Sequence, residues 1–296
     1  MHPLASSLDL SIIDVISREG PIPFDRFQEM ALYDPDEGYY NRPGRIGESG
    51  DFVTGPSWHP AFARCAVRHL LELGERLGGP VTFVDVGCGE GALLQYMQEA
   101  LGEEAGVTLA GVERSPVRRA LAAQRVPRAR FMESLEEPVT GWIFGYELVD
   151  ALPVRSFCFD DEGLLFERCV GTAEDGGFVF VNVAVPDPST LLAPLWKRGA
   201  SFEPEQTFEI RPGATGLARD LGKKLLAGEI SLFDYGAPTR ALYGPVRTRG
   251  TLEAFIGHRV TRDVLASPGS RDITAWVDFS ELEEAFREEG LAVSPL

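Results

Sequence analysis

The sequence has no C-x-x-C pair, no apolar run long enough to cross a bilayer, no internal repeat and little positive charge. Each shortage excludes something. Cys65, Cys88, Cys158 and Cys169 are the only cysteines in 296 residues, and no histidine stands at ligand spacing from them. This argues for reduced thiols in a cytoplasmic protein, with no metal site. The opening residues, MHPLASSLDLSIIDVISREG, lack the basic and apolar regions of a signal peptide. Without a run of ~18 apolar residues, no membrane insertion is expected. Lysine and arginine number 28 against 45 aspartate and glutamate, a net charge of −17. A surface this acidic repels phosphate backbones, so nucleic acid is not an expected partner, whereas cationic partners are favoured.

What is present is a chain 44% hydrophobic, enough for one large core with an appendage. Leu8, Ile12, Val15 and Ile16 recur at helical spacing, with Ser6 or Ser7 to cap the start and Gly20-Pro21 to stop it. Residues 23–32 predict a second short helix. Residues 32–60 are rich in glycine, proline and aromatics, a loop longer than compact domains carry without a use for it. Residues 60–77 predict a helix with Phe62, Cys65, Ala66, Leu70, Leu73 and Leu77 on one side.

From residue 80 strands and helices alternate. VTFVDVG, VTLAGVER, ARFME and GWIFGYE read as strands, and GALLQYMQEAL and SPVRRALAAQR as helices, the second capped by Ser115 with Pro116 at its first turn. The order predicts an α/β fold with a doubly wound, Rossmann-like parallel sheet. Three short strands between residues 154 and 183 predict an antiparallel β meander inserted into it. Residues 214–227 predict a helix, EISLFDYG a fifth sheet strand, FSELEEAFREEG a helix capped by Ser280, and LAVSPL the start of a further strand. The expected division is a helical cap with a covering loop over residues 1–78, then a cofactor-binding domain over residues 79–296 with its insertion at about 154–205.

Gly87, Gly89 and Gly91 follow the first strand as G-x-G-x-G, and with Ala92 the same letters also fit a dinucleotide fingerprint. No G-K-[ST] follows, which excludes a P-loop. Charge separates the remaining ligands. Asp85 ends the strand and Glu90 sits inside the loop. A pyrophosphate against the helix N-terminus would be repelled by these carboxylates. S-adenosylmethionine (SAM) carries an ammonium and a sulfonium and no phosphate, and suits them. Glu113, ending the second strand, can accept both ribose hydroxyls, a feature common to both ligand classes. Glu133, ending the third, can accept the adenine amine. Glu147 and Asp150 stand three apart just past the fourth strand, and in a helical turn they would share one face. Paired carboxylates can hold a guanidinium bidentately and take a proton from it during transfer. The rival assignment has Glu147 capping the turn and Asp150 paired with Arg155. His59, His69 and His258 read as structural, and Asp234 and Tyr235 either reach the site or cap a turn.

The stretches ALYDPDEGYY, GDFVTGP, FVDVGCGEG, YELVDALPV, FEIRPGA, LFDYG and GTLEAFIGHRV…DITAWVDFSEL occur in this order. Together they resemble the MidA-like methyltransferases, which include a mitochondrial complex I assembly factor that methylates an arginine. The resemblance runs from about residue 8 to about residue 290. It implies a SAM-dependent protein-arginine methyltransferase with a protein substrate, such as a respiratory-complex subunit or other assembly client. It also implies that Gly50, Asp51, Phe52 and Thr54 belong to a loop over the cofactor, and that Tyr39 and Tyr40 line the substrate side together with Tyr146. Tyr146 stands where the family has asparagine and Ser57 where it has an acid, and the family runs on past residue 296. An assembly factor or chaperone that keeps the fold without turnover is the alternative expectation.

Overall fold

The computed structural model describes residues 6–42, 55–102 and 106–294, without the side chains of residues 57 and 58. Ahead of the first strand run α1 (Ser7–Glu19), α2 (Phe24–Tyr33), α3 (Gly55–Trp58) and α4 (Pro60–Leu77). The alternating region follows: β1 (Val81–Val86), α5 (Ala92–Leu101), β2 (Val107–Val112), α6 (Pro116–Arg125), β3 (Arg130–Met132) and β4 (Val139–Tyr146). Next come β5 (Arg155–Phe159), β6 (Leu165–Thr172), β7 (Phe178–Ala184), α7 (Ser189–Lys197), β8 (Thr207–Ile210), α8 (Pro212–Lys224) and β9 (Leu225–Phe233). The chain closes with β10 (Gly236–Ala237), α9 (Thr239–Leu242), β11 (Glu253–Ile256), β12 (Arg259–Thr261), β13 (Asp272–Thr274), β14 (Val277–Asp278) and α10 (Phe279–Glu288).

These elements fall into two compact units, each gathered from three stretches of chain. The expected boundary at residue 78 differs from this grouping. One unit holds residues 40–148, 217–234 and 286–296. Its five strands are all parallel, in the order β3-β2-β1-β4-β9. Successive residues of β1 enter opposite cores. Phe83 joins Leu70, Leu94, Met97 and Phe144 on one face, while Val84 joins Ala110, Ile143 and Leu221 on the other. Burial on both faces is why these strands read as continuous apolar runs. The apolar face of α4 is Ala63, Ala66, Val67, Leu70 and Leu73, so Cys65, expected inward, is exposed.

The other unit holds residues 1–39, 149–216 and 235–285. The meander is present, but β8 completes it in the order β7-β6-β5-β8, so it runs to Ile210 rather than about 205. The helices α1 and α2 belong to this unit. Ile22 exchanges both backbone hydrogen bonds with Val170 of β6, and Phe24 and Phe27 meet Phe180 and Phe178 of β7 at 5.6 and 5.4 Å between ring centroids. Fully buried Gln28 gives its amide to the Ile273 carbonyl and takes the Val154 N–H. Buried Arg211 donates to the carbonyls of Leu152, Asp150, Trp276 and Ala275. One guanidinium fork thereby joins two chain segments that share no strand ladder.

Three local expectations change. Helix α10 starts at Phe279, and its cap is Asp278, whose carboxylate accepts the N–H groups of Ser280 and Glu281. The Ser280 hydroxyl instead accepts the Thr239 N–H. Residues 291–294 form no strand. The rival partner for Asp150 is also displaced, because Arg155 makes a two-pronged pair with Glu167, at 2.8 and 2.6 Å.

Candidate functional site

The parallel register aligns the strand ends: Val86 of β1 lies opposite Val112 of β2 and Gly145 of β4, and Val112 opposite Met132 of β3. Glu133, Glu113, Gly87 and Glu147 each follow within two residues. Four of the sequence-predicted positions thus meet along one edge of one sheet, the edge where such sheets bind ligands.

The glycine loop is shaped by its backbone. Gly87, Gly89 and Gly91 have φ of 76°, 55° and 77°, a region that a side chain strains. Around Gly89 a Cβ would meet nothing within 4 Å, so its backbone faces open space. The N–H of Gly89 donates to one oxygen of Glu113 at 2.9 Å, and the other oxygen takes the Ser115 N–H at 2.8 Å. Glu113 therefore ties the loop to the start of α6. A carboxylate has about four lone-pair sites, so two acceptor positions remain for ribose hydroxyls.

Asp85 is buried at the end of β1. Loss of solvation, and then the charge of Glu113, push its carboxyl up to about 8. A carboxyl held in this state is ready for a cation, whose arrival would favour the ionised form. Burial likewise raises the Cys88 thiol, which makes it a poor nucleophile at neutral pH. Glu133 is mostly exposed and meets Arg119 at 3.3 Å. Glu90 is held by Arg125 through its carbonyl and carboxylate.

At the end of β4 the chain bends rather than coiling, and Glu147 takes φ 48°. The turn is not helical, so the shared-face argument for Glu147 and Asp150 does not hold. Glu147 N–H donates to the Phe233 carbonyl at 2.7 Å. Asp150 is buried and falls in the other compact unit. The Tyr146 ring stacks on Phe233 at 6.2 Å and meets Phe62 edge-on at 6.4 Å. Its hydroxyl stands where a Cβ at Gly55 would intrude. Burial, followed by the charge of Glu147, raises the phenol above its ordinary value.

The two neighbouring tyrosines divide. Tyr39 is fully buried, its ring closed off from solvent. Tyr40 lies beneath the guanidinium of Arg118, 5.0 Å from its ring centroid. Arg118 is a residue the motif reading passed over. It is buried, and its Nε has no hydrogen-bond partner. Gly50, Asp51, Phe52 and Thr54 lie outside the described residues. His59 caps α4 by accepting the Ala61 N–H, His69 contacts Glu229 and the edge of Trp142, and His258 sits at φ 60° in the β11–β12 hairpin. The Tyr235 carbonyl accepts the Val277 N–H.

Comparison with known proteins agrees with this geometry. The sequence profile of a family of S-adenosyl-L-methionine-dependent methyltransferases matches residues 61–295. The chain is 25% identical over 331 residues to the mitochondrial protein arginine methyltransferase NDUFAF7 of Xenopus tropicalis, spanning 99% of this chain and 74% of that one. Its human counterpart is 26% identical over 324 residues, spanning 95% and 69%. Among solved structures, a COG1565 superfamily protein from Burkholderia thailandensis with bound S-adenosyl-homocysteine superimposes with a TM-score of 0.85. It is 30% identical, over 96% of this chain and 76% of that one.

Proposed function

Because this chain belongs to a family of S-adenosyl-L-methionine-dependent methyltransferases, we propose that it transfers a methyl group to an arginine side chain of a protein. The observation that carries the cofactor assignment is Asp85, a buried acid at the strand end beside an open glycine loop. That surrounding suits an ammonium, whose charge would draw the carboxyl into its ionised form, which a pyrophosphate would not do. The arginine acceptor draws on relatives named protein arginine methyltransferases along nearly the whole chain, and on the net charge of −17.

When bound, SAM supplies an electrophilic methyl on a sulfonium. Asp85 would hold the ammonium, with the backbone of Gly87, Gly89 and Gly91 close against the methionine end. Glu113 would take the ribose hydroxyls, and exposed Glu133 the adenine amine. Glu147 is the group proposed to hold the acceptor guanidinium and draw off its proton. Orientation of that nitrogen in line with the methyl provides much of the remaining acceleration. Tyr146 and its stacked partner Phe233 would present an aromatic face to the acceptor. The reduced cysteines, all four unpaired, suit a reducing compartment such as the cytoplasm.

The test is incubation of the full chain with isotopically labelled SAM and arginine-containing peptides, read by mass spectrometry. Label on arginine is the expected result. Its loss in Glu147→Gln, with SAM affinity unchanged, would support the acceptor role. A second reading, an assembly factor that binds SAM without turnover, draws on Tyr146 filling the strand end with a ring. Tight SAM binding without any labelled product would favour it.

A further inference from the structure

The methionine end of SAM carries two charges, an ammonium and a carboxylate, and Asp85 answers only the first. The arginines around the glycine loop are largely engaged. Arg125 holds Glu90, and Arg119 holds Glu133 and the Glu113 carbonyl. Arg118 differs. It is 4% exposed, its Nε is buried without a hydrogen-bond partner, and among the described residues its guanidinium meets no carboxylate. The Tyr40 ring faces it, 5.0 Å from centroid to guanidinium carbon. A buried guanidinium without an anion is unfavourable unless something else supplies the charge. In a chain with 45 acidic residues this solitude is a specific arrangement.

Its position indicates the anion. On α6, Arg118 and Ala122 share one stripe, which the C-cap Val126 continues. A Cβ on Gly91 would meet Ala122 at 3.1 Å and Val126 at 3.5 Å, so that stripe faces the glycine loop. Arg118 stands one turn nearer the start of α6, about 6 Å along the axis. At that same end the Ser115 and Gly89 N–H groups share the Glu113 carboxylate. We propose that Arg118 binds the carboxylate of the methionine moiety of SAM, and that Tyr40 positions the guanidinium for it. This rests on the cofactor reading above and extends it to a residue on the opposite side of the loop from Asp85 in sequence. It also moves Tyr40 from the acceptor to the cofactor.

Calorimetric titration of the full chain with three ligands tests it. S-adenosylhomocysteine carries both charges, its decarboxylated analogue only the ammonium, and 5′-methylthioadenosine neither. Arg118→Met keeps the stem and its packing, and Arg118→Lys keeps the charge. Arg118→Met is expected to weaken S-adenosylhomocysteine about 10- to 100-fold and to leave the other two within about twofold, with Arg118→Lys between. Equal weakening of all three ligands would mean a structural role, and unchanged affinity for S-adenosylhomocysteine would mean no role; either overturns the proposal while the cofactor reading stands. If the unaltered chain binds none of the three, the cofactor reading itself fails and takes the proposal with it.

Discussion

At the residue scale the strand-end acids are the groups proposed for the chemistry, and their environments make them measurable. Burial holds the Asp85 proton up to about 8, against roughly 3.9 in an unfolded chain. From about pH 4 to about pH 8 the unfolded chain therefore ionises this group while the folded chain does not. The stability it contributes is complete below that window and is lost as pH rises through it, at most about 1.4 kcal/mol per unit. Asp85→Asn is expected to flatten the fall in Tm between pH 5 and pH 8 and to bind SAM at least tenfold more weakly. A Tm profile parallel to that of the unaltered chain would refute the assignment. Pairing with an ammonium lowers the Asp85 pKa, so SAM binding at pH 7 should release a proton. Calorimetric enthalpies that do not vary with the ionisation heat of the buffer would count against this. Glu147 holds φ 48°, a conformation that disfavours side chains. Glu147→Gly should raise stability by about 0.5–1 kcal/mol while abolishing transfer, read by thermal melts beside product assays. A loss of stability would mean that the carboxylate anchors the turn.

At the element scale, caps and tight turns decide what forms. Asp278 starts α10, accepts the Thr239 hydroxyl and stands 3.7 Å from Arg198. Asp278→Ala should lower stability by about 1–2 kcal/mol, whereas Ser280→Ala should lower it less; denaturant melts showing the reverse order would restore the serine as cap. The parallel sheet was legible because its strands are apolar on both faces and its helices begin with recognisable caps, such as Ser115-Pro116. The acids at the strand ends were legible for the same reason, since the turn after each strand marks its position. The strands β10 to β14 were not. They have two to four residues each, below the length at which alternation shows. Outside the β11–β12 hairpin their partners are distant in sequence, and Gln28 and Arg211 hold the stretch around β13 and β14 through backbone carbonyls that leave no sequence signal. The helical turn at Glu147 failed because its left-handed residue is not a glycine. Arg118 was missed because its meaning lies in what surrounds it.

At the scale of the whole molecule, the net charge of −17 acts before any contact forms. An arginine peptide, the proposed acceptor, would be drawn in by the field, and salt screens it over about 10 Å at 0.1 M. The KM for a cationic peptide should therefore rise several-fold between about 50 and 300 mM salt, with SAM affinity nearly unchanged; a KM insensitive to salt would leave the acidity to solubility alone. The division into two discontinuous units has a consequence for biosynthesis. The Gln28 side chain waits for the carbonyl of Ile273, 245 residues later. At a translation rate of roughly 5–20 residues per second, the first two helices leave the ribosome tens of seconds before that partner exists. For part of that interval, while residues 147–224 are being made, β4 lacks β9, and the nascent chain presents an open strand edge and bare phenylalanines to its surroundings. Early segments must therefore wait for late ones, and the yield of this protein in a cell should depend on holdase chaperones more than its native stability alone would indicate.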